Sequence, residues 1–92
     1  GADAMSETLF RVRVRYFASL REALGSEEQV RLPAVSRVGE LRDALIARGG
    51  EYARLLARGR AVRCAVDQTM GDESTSLHDG AEVAFFPPVT GG

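Results

Sequence analysis

From Leu9 to Phe17 apolar and charged residues alternate: Phe10, Val12, Val14 and Tyr16 fall on one side, Arg11, Arg13, Arg15 and Phe17 on the other. A period of two is that of a strand with one face buried and one in water. Ala18 to Leu24 has helical composition for a turn or two and stops at Gly25, after which Gln29 to Leu32 reads as a second short strand ending at Pro33. The two strands can pair across that short helix. Beyond them the period changes: Val38, Leu41 and Leu45 recur at three- and four-residue spacing with Ala44 beside them, while Glu40, Arg42, Asp43 and Arg48 lie mostly elsewhere. This spacing predicts an amphipathic helix from an N-cap at Ser36 to Arg48, closed by Gly49 and Gly50.

A shorter helical segment, Glu51 to Arg58, precedes a third strand, Ala61 to Val66, with Val62, Cys64 and Val66 on one face. Gly71 to Ser76 is loop chemistry, and Asp79-Gly80 is a turn signal just before a last strand ending near Phe86. The expected core joins Val12, Val14, Leu41, Leu45, Val62, Val66, Val83 and Phe85. Because neighbours on a strand point to opposite faces, Phe85 in the core sends Phe86 to the outer face, where Phe17 also lies. Residues 5–86 read as one domain and 87–92 as an extended, flexible tail, whose two prolines disfavour helix and whose six residues can reach roughly 20 Å. Gly1 to Ala4 read as a remnant foreign to the native chain, with Met5 as its start.

The length, 92 residues, suits a single domain, and 45% hydrophobic with 27% charged residues is a globular balance. A formal charge of −1 builds in no general attraction to nucleic acid or anionic lipid. All 12 cations are arginine, so any lysine chemistry must come from another protein. The single cysteine, Cys64, lies on an apolar strand face and reads as a packed core thiol, and the single histidine, His78, as a solvated turn residue. Together they do not make a metal site, and a cytoplasmic setting is expected. The Arg11, Arg13, Arg15 stripe is either a solvated face or a place where a partner docks. Without a glycine-rich phosphate loop, direct nucleotide binding is disfavoured.

The end of the chain carries the sharpest signal. At average glycine usage of about 7% a Gly-Gly ending arises by chance about once in 200 chains. Two residues without Cβ atoms can thread a narrow channel and present a bare carboxylate to another protein's active site.

The run from Asp79 to Gly92, DGAEVAFFPPVTGG, resembles the ending of the MoaD/ThiS family of sulfur carriers. The similarity extends through Ala65-Val66-Asp67-Gln68-Thr69-Met70, with Asp67 where an Asn is common, and through Val14 to Ala18 and Leu20 to Glu22. The resemblance implies an α+β, ubiquitin-like β-grasp fold: a mixed sheet packed on one main helix, with the first and last strands adjacent and parallel. It implies that Gly92, with Gly91 beside it, carries first AMP and then sulfur, as an acyl-adenylate and a thiocarboxylate, with no permanently bound cofactor. The partners it implies are the large subunit of molybdopterin synthase, in a heterotetramer, an ATP-dependent adenylyltransferase and a sulfur donor protein. The catalytic pocket would belong to the large subunit, leaving this chain a non-catalytic carrier. Phe17, Met70 and Phe86 match the family's apolar binding patch, and Pro87, Pro88, Val89 and Thr90 lead to the glycines. Phe85 to Pro88 favours the pterin branch over carriers serving thiamine, cysteine or tRNA thiolation; a ubiquitin-like binding module that is never activated is the alternative of another class.

Overall fold

The computed structural model describes residues 9–88. In chain order these form β1 (Leu9–Tyr16), α1 (Ala18–Leu24), β2 (Glu27–Pro33), α2 (Val38–Ile46), α3 (Gly50–Leu56), β3 (Arg63–Val66), β4 (Thr69–Gly71) and β5 (Glu82–Phe86). The strands make one mixed sheet in the order β2-β1-β5-β3-β4. β1 and β2 pair antiparallel, as their separation by one short helix allows. β5 lies between β1, to which it is parallel, and β3, to which it is antiparallel. Parallel neighbours need a crossover, and α2 lies on it. The first and last strands are thus adjacent and parallel, as the family resemblance implies.

Register follows from burial. Val14 pairs with Val83 and Tyr16 with Phe85, while Cys64 and Val66 lie opposite Phe85 and Val83. Slipping any strand by one residue would turn its apolar set into water. Leu41 and Leu45 of α2 cover this face, both fully buried, with Val12, Val14, Leu20, Leu56 and Phe85 around them. Leu45→Ala is expected to cost about 2 to 5 kcal/mol in denaturant unfolding, through lost burial and the cavity left behind. A loss below about 0.5 kcal/mol would remove α2 from the core.

Several details depart from the sequence reading. Ser36 is not the cap of α2: its hydroxyl donates to the Pro33 carbonyl at 2.6 Å, fastening the preceding turn. Arg37 occupies the cap position, and its N–H donates to the Glu40 carboxylate at 2.6 Å, which satisfies a backbone group that the helix leaves open. The helix stops at Ile46, two residues before Arg48. The third strand begins at Arg63, leaving Val62 only half-buried against the core. β4 falls within sequence read as a loop from Gly71 and as family resemblance before it; at three residues it is too short to show a period. Arg42, expected away from the core, is buried.

Candidate docking face at the root of the tail

β5 is hydrogen-bonded on both sides, so its side chains are fixed in direction by two neighbouring strands. Phe85 is buried and stacks on Tyr16, their ring centres 6.4 Å apart. Phe86 therefore projects from the opposite face, where its ring lies 4.8 Å from that of Phe17 and within 15° of parallel. Phe17 is positioned by its own N–H, which donates to the Phe85 carbonyl at 3.2 Å, one residue beyond the end of β1. The Arg15 guanidinium lies over the Phe17 ring, 5.3 Å from its centre. Glu82 at 3.3 Å and Glu27 at 3.8 Å hold that guanidinium in place.

On the other flank, Met70 of β4 pairs with Ala65, which in turn pairs with Ala84 of β5. Both alanines are small and buried, so the larger side chains around them stand proud of the sheet. Met70, 56% exposed, lines a groove of about 250 Å³ with Phe86, Pro87 and Arg63. The fold thus gathers Phe17, Met70, Phe86 and Pro87 on one apolar surface from which the chain leaves the sheet. Pro88 follows, half-buried, outside any regular element. Val89, Thr90, Gly91 and Gly92 lie outside the described residues, as do Gly1 to Ala4 and Met5. A larger concavity, about 690 Å³, opens at the far end of β1 and β2 and touches none of the predicted site residues.

Cys64 is buried and its thiol is pushed above the usual cysteine value, first by burial and then by the charges of Asp72 and Glu73. Such a thiol is a poor nucleophile. No group of three His, Cys, Asp or Glu side chains among the described residues is arranged to hold a metal ion. His78 is more than a solvated turn residue. Its Nε2 lies 2.7 Å from Asp67 Oδ2 and its Nδ1 2.8 Å from the Asp79 carbonyl. Both neighbours are acceptors, so the ring satisfies both only as an imidazolium. The other oxygen of Asp67 accepts from the Glu82 N–H at 3.0 Å, so this cluster ties the β3–β4 turn to the start of β5.

The pKa of His78 is raised from its ordinary value of 6.5 by the hydrogen bond to Asp67, then by that to the Asp79 carbonyl. Asp67 is lowered, first by the Glu82 N–H and then by His78. The histidine's contribution to stability is fully present below its unfolded pKa and is lost as pH rises through the higher folded one; that of Asp67 is present above its unfolded pKa and is lost as pH falls through its lowered folded pKa. As pH rises above the ordinary histidine value of 6.5, the melting temperature should therefore drop more steeply in the native chain than in His78→Ala. Equal slopes for the two proteins would show that the cluster does not contribute.

The ThiS family model matches residues 14–92, which includes every element from the middle of β1 onward. The chain belongs to the ThiS family. Among curated relatives, it is 40% identical over 86 residues to the molybdopterin synthase sulfur carrier subunit of Mycobacterium tuberculosis, covering 91% of this chain and 100% of that one. To the protein of the same name from Escherichia coli it is 38% identical over 81 residues, covering 88% of this chain and 99% of the relative. Among solved structures, the Haloferax volcanii HVO 2177 protein superposes with a TM-score of 0.80 at 28% identity, covering 98% of this chain and 93% of that one. The complex of subunits 1 and 2 of the molybdopterin-converting factor from Helicobacter pylori matches with a TM-score of 0.58 at 28% identity, over 90% and 100%. A ubiquitin from Caldiarchaeum subterraneum, 12% identical with a TM-score of 0.58 over 92% and 100%, shares the fold. The ThiS-family chain is thus an α+β protein with the ubiquitin-like β-grasp. No helix among its described residues is long and apolar enough to cross a membrane.

Proposed function

We propose that this chain is the sulfur carrier subunit of a molybdopterin synthase, holding sulfur as a thiocarboxylate on Gly92. One observation carries the reading: the central strand β5 ends at a stacked Phe17–Phe86 pair and an apolar groove, where Pro87 leaves the sheet, and the family match runs on from there through Gly92. A surface for a partner and the segment that would enter that partner share one root. The names of the relatives from M. tuberculosis and E. coli support the pathway, and the two-subunit complex from H. pylori supports a second subunit as partner.

The chemistry needs two activations. A carboxylate is a poor electrophile, so an adenylyltransferase joins a Gly92 carboxylate oxygen to the α-phosphorus of ATP and pyrophosphate leaves. The terminal sulfur of a donor-protein persulfide then attacks the acyl carbon and AMP departs, and a second thiol attacks the donor's sulfur, breaking the S–S bond so that a disulfide leaves and the thiocarboxylate remains. In the large subunit the sulfur adds to a side-chain carbon of cyclic pyranopterin monophosphate, from which an oxygen substituent leaves as water or as the opened phosphate ester. Water at the acyl carbon then breaks the acyl–sulfur bond, leaving the sulfur on the pterin and the carboxylate free for recharging. Two such transfers supply the dithiolene sulfurs of molybdopterin. These steps belong to a cytoplasmic assembly in which this chain contributes the carried group and its partners the pockets.

Docking on the aromatic face is testable apart from the chemistry. Phe86→Ala is expected to weaken binding to the large subunit or the adenylyltransferase by about 2 kcal/mol or more, roughly 30-fold in Kd, with little change in melting temperature. Strong destabilisation with unchanged affinity would mean that Phe86 serves the fold and not the partner.

A further inference from the structure

The groove at the tail root has one charged wall. Arg63 stands directly across the ladder from Phe86 and lines the groove with Met70, Phe86 and Pro87. Its situation differs from that of Arg15 on the other flank, which is paired with Glu82 and Glu27 and lies over Phe17. The Arg63 side chain is exposed and makes no hydrogen bond or ion pair among the described residues. It is not set over an aromatic ring either.

A partner that covers Met70, Phe86 and Pro87 must also cover, or closely approach, this guanidinium. Taking an unpaired charge out of water is costly, whereas a carboxylate placed opposite it offsets the loss and adds orientation through a two-pronged hydrogen bond. An arginine beside an apolar anchor is also a combination enriched at interfaces. We infer that Arg63 is a specificity determinant of the docking face and that the second synthase subunit presents an Asp or Glu carboxylate to it. This rests on the reading of the chain as a carrier that docks through Phe86. The aromatic pair supplies apolar area, and Arg63 sets which surface is accepted and in what orientation, since a neutral or basic surface at that point leaves the charge uncompensated.

The test measures Kd between the full chain and the purified large subunit of the same synthase, at low and at physiological salt, with Arg63→Leu, Arg63→Lys, Arg63→Glu and Phe86→Ala beside the native protein. Arg63 is exposed, so all three of its variants should fold with native melting temperatures. Arg63→Leu should bind about tenfold more weakly at low salt and lose part of the salt dependence; Arg63→Glu should lose more, and Arg63→Lys, which keeps the charge but not the planar fork, should fall between Arg63→Leu and the native chain. Native affinity and salt dependence in Arg63→Leu and Arg63→Glu, with Phe86→Ala still impaired, would overturn the charge pairing and leave the aromatic docking face standing. If neither Phe86→Ala nor the Arg63 variants change Kd, the docking face itself is wrong.

Discussion

Removal of Gly92 is expected to abolish sulfur transfer while leaving the fold intact, because the reactive carboxyl would then sit one residue short of where the partner enzymes act. One residue is about 3.5 Å of extended chain, whereas misplacement of a reacting group by about 1 Å can cost two orders of magnitude in rate. Adding a residue after Gly92 should fail for the same reason, with the carbonyl displaced outward. Gly91→Val should also fail, since a branched side chain restricts the backbone and crowds a narrow channel. The assay is molybdopterin formation with the purified partners, alongside a melting curve. Activity near native in the chain lacking Gly92 would place the transferred sulfur elsewhere, and normal charging and transfer by Gly91→Val would remove the channel argument.

The second large effect concerns stability and a residue remote from the tail. Arg42 is only 5% exposed, and its guanidinium makes four hydrogen bonds: Nε donates to the Leu56 carbonyl at 2.7 Å, Nη2 to those of Ala57 and Arg60 at 2.7 and 3.0 Å, and Nη1 to Glu73 at 3.0 Å. It closes the carbonyl end of α3 and shapes the segment that leads into β3. Glu73 extends the network, accepting from Arg58 as well, while its carbonyl receives the Gly39 N–H at 2.9 Å. A Cβ on Gly39 would lie 3.3 Å from that carbonyl oxygen, so the N-terminal turn of α2 is pressed against the loop. Arg42→Ala leaves three carbonyls without this donor and a carboxylate with one partner fewer. We expect a loss of about 3 to 5 kcal/mol in denaturant unfolding, a large share of what a domain of this size possesses. A loss under about 1 kcal/mol would mean that water replaces the guanidinium at little cost.

The contrast between Arg42 and Leu45 shows what the sequence makes legible. Leu45 obeys the helical period and is buried as that period predicts, and Val12, Val14, Val83 and Phe85 are buried as the period of strands predicts. The opposite facing of Phe85 and Phe86 also followed from that period, and with it the meeting of Phe17 and Phe86. Arg42 could not be found this way, because its partners are mostly carbonyls fourteen to eighteen residues away in α3 and the turn after it. A backbone acceptor leaves no mark on residue type. His78 and Asp67 were likewise invisible as a pair, eleven residues apart in two turns that the sheet brings together. Ser36 carried a true capping signal but spent its hydroxyl on Pro33, and Glu40 satisfied the helix start in its place. Arg63 looked like any polar alternate of a strand; its significance depends on Met70 and Pro87, which reach the same groove from β4 and from beyond β5.

Sulfur carriage by Gly92 is tested most directly by the intact mass of the chain after incubation with its adenylyltransferase, ATP and a sulfur donor. The expected product is heavier by the difference between one sulfur and one oxygen atom, with the modification confined to a C-terminal fragment containing Gly92 and absent when ATP is withheld. An unchanged mass under conditions in which the same enzymes charge a related carrier, or a sulfur found on Cys64 instead, would contradict it.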